Sequence, residues 1–153
     1  MLGIWNGISY GDISSFLRSC AEAFIPLLGK RRQLLSFEST PDIIFGFFDA
    51  DKLDKIVYNL LSNAAKYTPE GGQICVRAAL ADEYTLQIDV TNTGELMTQK
   101  TIDGLFKRFY EGDYRRHNTI GTGIGLALVK DLVALHHGTI EAFSNEQTGN
   151  CFR

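Results

Sequence analysis

One stretch constrains this chain more than any other: Leu53 to Pro69, LDKIVYNLLSNAAKYTP. At about 100° per residue, Leu53, Ile56, Val57, Leu60, Leu61 and Ala64 fall on one apolar helical stripe, so the segment must lie against a core. Asn59, Asn63 and Lys66 stand at i, i+4 and i+7 and make a second, narrow stripe roughly 120° round from the first. An ordinary surface helix would cover that second stripe with Glu and Lys. Two carboxamides and one ammonium, followed by Tyr67-Thr68-Pro69, suit a metal ion and phosphates instead. An amide oxygen ligates Mg2+ without adding charge, and Mg2+ takes its other ligands from water and substrate phosphates. Lys66 adds a compact cation. Taken alone, the helix fits a solvated edge equally well.

The chain has 153 residues, one domain's worth, and is long enough to bury its own core. Its net charge of -3 gives no electrostatic footprint for nucleic acid, so a phosphate site has to be built locally. No apolar run approaches the ~20 residues of a membrane span. The opening MLGIWNGISYGD lacks the basic segment and small-residue cleavage site of a signal peptide. Cys20, Cys75 and Cys151 are an odd count without CxxC spacing and read as small buried hydrophobes in a reducing compartment. His136-His137 has no third metal ligand at a familiar spacing. The pair is expected to close a helix just before Gly138, a favoured C′ residue.

Taken in order, residues 4–10 suggest a short strand, and Asp12 an N-cap for a helix running to about Arg32. Ile13, Phe16, Leu17, Cys20, Phe24 and Leu28 recur at helical spacing, and Pro26 inside that pattern predicts a kink or local break. Gln33–Ser39 and Ile43–Phe48 read as strands joined by a Pro41-Asp42 turn, a hairpin by pattern. Asp49 or Asp51 should cap the asparagine helix, and Gly71-Gly72 should break the chain after it. A second hairpin is expected from Gln73–Leu80 and Tyr84–Asn92, where alternating Leu86, Ile88 and Val90 imply one buried and one wet face. A loop follows over 93–100, then a short helix over Ile102–Phe109. Residues 110–120, rich in charge and poor in apolar side chains, read as a mobile surface loop. A glycine-rich turn then leads into a helix, a strand over Thr139–Ser144, and a last strand starting near Asn150. The fold class this implies is α/β: a two-layer sandwich whose mixed, mostly antiparallel sheet carries about three helices on one face.

Gly121, Gly123 and Gly125 open the late helix in an order that leaves backbone N–H groups free for phosphates. GxGxG alone also fits close helix–strand packing. The Walker form is absent because no Lys follows, and the Rossmann form because no strand immediately precedes the glycines. The whole order is an asparagine helix, a hairpin ending Val-Thr-Asn-Thr-Gly, an LFKRFY helix, a basic loop, then GTGIGL. In that order the chain resembles the catalytic and ATP-binding domain of a sensor histidine kinase, within the GHKL superfamily, and more narrowly those of large hybrid two-component sensors. The resemblance runs from about Asp12 to the end.

That resemblance implies a set of site residues. NLLSNAAKYTP matches the N box, where Asn63 would bind Mg2+, Lys66 a phosphate, and Tyr67 the adenine or ribose side; Asn59, Asn63 and Lys66 form its catalytic set. Asn92 and Gly94 match the start of the G1 box, and Met97 is counted with them among the cofactor-binding residues. Phe106 and Phe109 match the F box as packing residues. Residues 110–120 correspond to the ATP lid, placing Arg115 or Arg116 near the γ-phosphate. Gly121, Thr122, Gly123, Gly125 and Leu126 match the G2 box at the triphosphate. The implied fold is the GHKL α/β sandwich and the implied cofactors are ATP and Mg2+. The implied partners are a histidine-bearing dimerisation domain of the same protein and a response-regulator receiver domain, with no nucleic acid and no direct membrane contact. The implied location is a cytoplasmic domain of a membrane-bound sensor.

Two departures qualify the match. The G1 box usually reads Asp-x-Gly-x-Gly, whereas here Asn92-Thr93-Gly94-Glu95-Leu96 lacks both the acid and the second glycine. No phosphoacceptor box, a His followed by an acidic residue and shortly by Pro, occurs around His117, His136 or His137. The chain therefore reads as a fragment: residues 1–11 as linker remnant and edge strand, residues 12–153 as a catalytic domain cut within its last strand, with the receiving histidine upstream of Met1. Two other functions stay open. A GHKL-type ATPase would place Glu, the general base for water, where Asn59 stands, and an amide cannot accept that proton. A degenerate nucleotide-binding interaction module would tolerate the altered G1 box.

Overall fold

The computed structural model describes residues 7–107 and 125–153. Two sheets form. Strands β1 (Ile8–Asp12) and β3 (Phe45–Asp49) pair antiparallel, while β2 (Leu34–Thr40), β4 (Gln73–Asp82), β5 (Thr85–Asn92), β7 (Gly149–Phe152) and β6 (Ala142–Asn145) make a five-stranded sheet in that spatial order. Within it β2 runs parallel to β4, and the remaining pairs are antiparallel. Helix α3 (Ala50–Tyr67) packs against α1 (Ile13–Glu22) and against α5 (Gly125–Leu135). Buried residues of all three join Ile74, Val76, Ala78, Val90 and Phe152 of the sheet in one core. The mixed, mostly antiparallel sheet with a helical layer agrees with the expected fold class.

Local chemistry explains the boundaries. Asp12 caps α1 by accepting from Ser15 N at 3.0 Å, and Asp49 rather than Asp51 caps α3 by accepting from Lys52 N at 3.1 Å. The long first helix breaks at Ala23-Phe24, and a short α2 (Ile25–Lys30) restarts with Pro26 in its first turn, where a missing N–H costs nothing. The short helix after the G1 stretch, α4, spans Gln99–Gly104, earlier than expected because Thr98 caps it through Thr101 N. The expected end at Phe109 and the expected loop over 110–120 lie outside the described residues.

The first predicted hairpin does not form. Both strands exist, but β2 joins β4 and β3 joins β1. Ile44 is the reason: its carbonyl accepts from Ile13 N at 2.7 Å and its N–H donates to Ser14 Oγ at 3.2 Å. Pinned to the start of α1 and 3% exposed, Ile44 turns the chain out of the main sheet before β3 begins. Gly46 then lies against Ile13, and Phe48 against Phe16, on the inner face of the small sheet. Its outer face stacks Tyr10 on Phe45 and sets it edge-on to Phe47, all three exposed. The second hairpin forms as expected, with its turn at Glu83-Tyr84.

On the sheet face away from the helices, register aligns Glu38, Arg77 and Asp89, and Arg153 continues the row by its bidentate bond to Asp89 at 2.8 and 3.0 Å. Arg77 Nε donates to Glu38 at 2.9 Å. Alternating charges thus satisfy one another across neighbouring strands. Cys75 and Cys151 flank Thr91 on this face with β5 between them. Two inter-strand spacings, about 10 Å, exceed disulfide reach.

Candidate nucleotide site

The polar stripe of α3 and the ends of β5, β7 and α5 form the candidate site. The apolar stripe is buried as its spacing predicts, with Leu53, Ile56, Val57, Leu60, Leu61 and Ala64 joined by Ala65. This leaves Asn59, Asn63, Lys66 and Tyr67 half-buried along the opposite edge. Asn59 Nδ2 donates to Lys55 O at 2.7 Å, which fixes the amide and aims its oxygen outward. A Cβ built on Gly125 would come within 3.0 Å of that oxygen. The asparagine stripe and the start of α5 therefore meet directly, and Gly125 lets the helix start approach closely. Leu126 beside it is half-buried and packs on the core. Arg115, Arg116, Gly121, Thr122 and Gly123 lie outside the described residues.

The G1 stretch closes on the other end of α3. Gly94 has φ +140°, and a Cβ there would sit 2.8 Å from Tyr67 O and 3.3 Å from Pro69 Cδ. Only glycine allows this approach. Asn92, 3% exposed, ends β5 with Nδ2 donating to Thr93 O at 3.0 Å. Met97, half-buried, has its N–H held by Ser144 Oγ at 3.0 Å and by Asn150 Oδ1 at 3.3 Å. The structure thus brings Tyr67, Asn92, Gly94 and Met97 to one end of α3, and Asn59, Asn63 and Gly125 to its middle.

Asn150 is a positioning residue that sequence reasoning missed. It is fully buried, pairs in register with Asn92, donates to Glu95 O at 2.9 Å, and accepts from Ser144 Oγ at 2.6 Å. One carboxamide thereby holds both ends of the Glu95–Met97 loop. The available signal was a single amide in a strand otherwise apolar, expected there only as the strand's start. Phe106 packs edge-on to Phe152 at 6.2 Å, a packing role as expected.

His136 bonds within its own helix and Cys20 to Asp54, and Cys151 lies on the other face of β7 from Asn150. His136 Nδ1 lies 2.9 Å from Leu132 O. The helix ends with His137 itself in the left-handed region, φ +59°, rather than with Gly138 at that position. Gly138 follows because a side chain there would press on Val133 Cγ1 at 3.2 Å. Burial and the neighbouring Asp54 carboxyl push the Cys20 thiol up to about 12, and burial pushes Cys151 up to about 11. Both are inert near neutrality. The neutral Asn59 amide facing Gly125 at the start of α5, with Asn63 one turn further along α3, fits a magnesium triphosphate, because amide oxygens ligate a hard cation without competing for charge.

Residues 48–153 match the family model of the histidine kinase-, DNA gyrase B-, and HSP90-like ATPases. The chain is 33% identical over 147 residues to histidine kinase P4 of Formosa agariphila, covering 94% of this chain and 11% of that protein. It is 32% identical over 153 residues to hybrid signal transduction histidine kinase D of Dictyostelium discoideum, covering 95% and 9%. The chain thus spans about a tenth of the length of these relatives. Among solved structures, the nucleotide-free catalytic domain of histidine kinase ThkA superposes with a TM-score of 0.82 at 22% identity, covering 95% of this chain and 91% of that one. Full-length ShkA in complex with AMPPNP superposes with a TM-score of 0.81 at 24% identity, covering 97% and 30%. At these identities the likeness is one of fold.

Proposed function

The chain belongs to the histidine kinase-, DNA gyrase B- and HSP90-like ATPase family, and from that premise we propose that residues 12–153 are the catalytic domain of a sensor histidine kinase. The domain binds Mg·ATP and delivers the γ-phosphoryl to a histidine on a separate dimerisation domain, from which a response-regulator receiver draws it. Asn63 would hold Mg2+, which would supply charge neutralisation at the phosphates when bound. Lys66 offsets phosphate charge, Tyr67, Asn92, Gly94 and Met97 bound the base and ribose, and Gly125 and Leu126 stand at the triphosphate. Arg115, Arg116, Gly121, Thr122 and Gly123 complete the lid and phosphate cradle. Transfer of this kind rests on positioning and charge stabilisation, so the domain need not carry a nucleophile.

The observation that carries the kinase reading over hydrolysis is the Asn59 amide, fixed by Lys55 O and facing Gly125. It can orient a group at the phosphates, but it cannot take a proton from water. Among the described residues no helix is long and apolar enough to cross a membrane. The proposed location, a cytoplasmic domain of a membrane-bound sensor, rests instead on likeness to sensor histidine kinases such as WalK and CusS.

The test supplies a histidine-bearing helical hairpin in trans with γ-labelled ATP and Mg2+. Label should pass to the hairpin, free phosphate should accumulate slowly, and the domain itself should acquire no stable label. Asn63→Ala should abolish transfer and weaken Mg·ATP in calorimetry without lowering the melting temperature, since Asn63 lies off the buried stripe. Brisk phosphate release by the domain alone would establish the hydrolase instead.

A further inference from the structure

We propose that Gln33 is a positioning residue of the nucleotide site, acting through the last turn of α3. The inference rests on the nucleotide-binding reading above. Helix α2 ends with Arg32 in the left-handed region at φ +54°, with Gln33 N donating to Leu28 O at 2.9 Å and Arg32 N to Gly29 O at 3.1 Å. This paired closure ends the helix and turns the following residue inward. Gln33 is accordingly 4% exposed, between the exposed Arg32 and Leu34.

Its carboxamide meets a defect in α3. The carbonyl of Ala65 would normally accept from the N–H four residues on, but that residue is Pro69 and has none. Gln33 Nε2 supplies the donor instead, at 3.0 Å from Ala65 O, and reaches Thr68 O at 2.6 Å. Ala64 O, one position earlier, is satisfied by Thr68 N at 2.9 Å and Thr68 Oγ1 at 2.6 Å. The two carbonyls that Gln33 holds bracket Lys66 and Tyr67. Gly94 lies against Tyr67 O from the G1 side. The turn presenting the phosphate-side cation and the base-side ring is thus gripped between one buried amide and one glycine. Gln33 is remote in sequence from every box of the family pattern, and touches the site only through backbone.

The test is calorimetric titration of the 153-residue chain with Mg·ATP, for wild type, Gln33→Glu and Gln33→Met, at temperatures well below each melt. A carboxylate at position 33 sets oxygens against two carbonyl oxygens, whereas the protonated acid regains one O–H donor, and burial raises its pKa. Gln33→Glu should bind Mg·ATP about ten-fold more weakly at pH 8 and recover several-fold by pH 6, relative to wild type at the same pH. Gln33→Met, of similar length with no donor, should lose affinity at both pH values without recovery. A cap that serves stability alone would lower the melting temperature of both variants and leave their affinities, measured when folded, at the wild-type value. That result overturns the proposal, as does loss in Gln33→Glu without recovery at low pH. Failure of the wild-type chain to bind Mg·ATP would instead overturn the nucleotide reading itself.

Discussion

Replacing Asn92 by Asp should tighten ATP binding while weakening the free protein, and the two effects can be sized separately. In the free protein Asn92 is 3% exposed and its Nδ2 donates to Thr93 O at 3.0 Å. A carboxylate there loses that hydrogen bond and sets a buried oxygen against a carbonyl, a cost of about 1–3 kcal/mol. For a domain of this size the melting temperature should fall by roughly 2–4 °C per kcal/mol, several degrees in all. In the proposed complex the carboxylate would accept from the adenine amino group. A charged acceptor makes a bond roughly twice as strong as an amide does, a gain on the order of 1 kcal/mol, or several-fold in affinity. Nucleotide choice should change as well. A carboxylate repels the guanine carbonyl oxygen, whereas an amide can turn and donate to it, so Asn92→Asp should widen the gap between ATP and GTP. Calorimetry with both nucleotides, beside thermal melts of the free protein, reads all three quantities. An unchanged ATP-to-GTP affinity ratio would show that the base is read elsewhere. An unchanged melt would show that the Thr93 contact contributes nothing in the free state.

Two further outcomes concern the scaffold. Arg32 occupies the left-handed region at φ +54°, and its ion pair with Glu70 is an exposed 3.5 Å contact, so Arg32→Gly should stabilise the protein by about 0.5–1 kcal/mol, read as a higher urea midpoint at constant slope. Asp49 and Asp12 are held below the ordinary carboxyl range, Asp49 chiefly by Lys52 and Asp12 chiefly by the Ser14 hydroxyl. Their folded pKa values lie below their unfolded ones, so their stabilisation is complete above the unfolded value near about 3.9 and is lost as pH falls through the folded values. Asp49→Asn should flatten the acid limb of a stability-versus-pH curve below about pH 4, and an unchanged limb would remove Asp49 as a source of it.

Periodicity and capping made much of this fold legible before any coordinates. The 3.6-residue stripe of α3, the caps at Asp12 and Asp49, the break at Pro26 and the hairpin ending in Asn92 all depend on residues near one another in sequence. Strand pairing does not share that locality. The Thr40–Asp42 turn chemistry is compatible with a hairpin, yet the pairing partner of β3 is set by Ile44 bonding to Ile13 and Ser14, some 30 positions earlier. No local pattern carries that information, because an apolar residue after a turn is equally apt to begin a strand or to plug a helix start. His137 shows the same limit within a single helix end. Glycine at 138 suggests the left-handed position, but Val133 needs the space next to it, and the turn falls one residue earlier.

The candidate site divides along the same line, and the division bears on how such a site can vary. Residues proposed to touch nucleotide lie in short boxes whose order is readable. Residues holding those boxes in place, Gln33 behind Lys66 and Tyr67 and Asn150 behind Met97, are single buried carboxamides distant in sequence, one just before β2 and one in β7. Each reaches its box through backbone groups, Ala65 O and Thr68 O for Gln33 and Glu95 O and Met97 N for Asn150, so neither constrains which residues stand in the box, and no motif can record the pairing. A carboxamide suits the task because it donates without carrying charge, and Gln33 uses only that end, its buried Oε1 accepting no bond among the described residues. Asn150 uses both ends, accepting from Ser144 and Met97 while donating to Glu95. A carboxylate at that fully buried position could not donate to Glu95 O, and an aliphatic residue would leave Glu95 O and Met97 N unsatisfied by it. Asn92 stands next to it in register, so the two buried amides sit side by side across β5 and β7, at the end proposed to meet the base. The missing acid of the G1 box is therefore set in a neighbourhood that is already neutral and hydrogen-bonded. An acid restored at position 92 would lose the bond to Thr93 O and set a carboxylate against that carbonyl in the free protein, which is the penalty that any gain with adenine has to exceed.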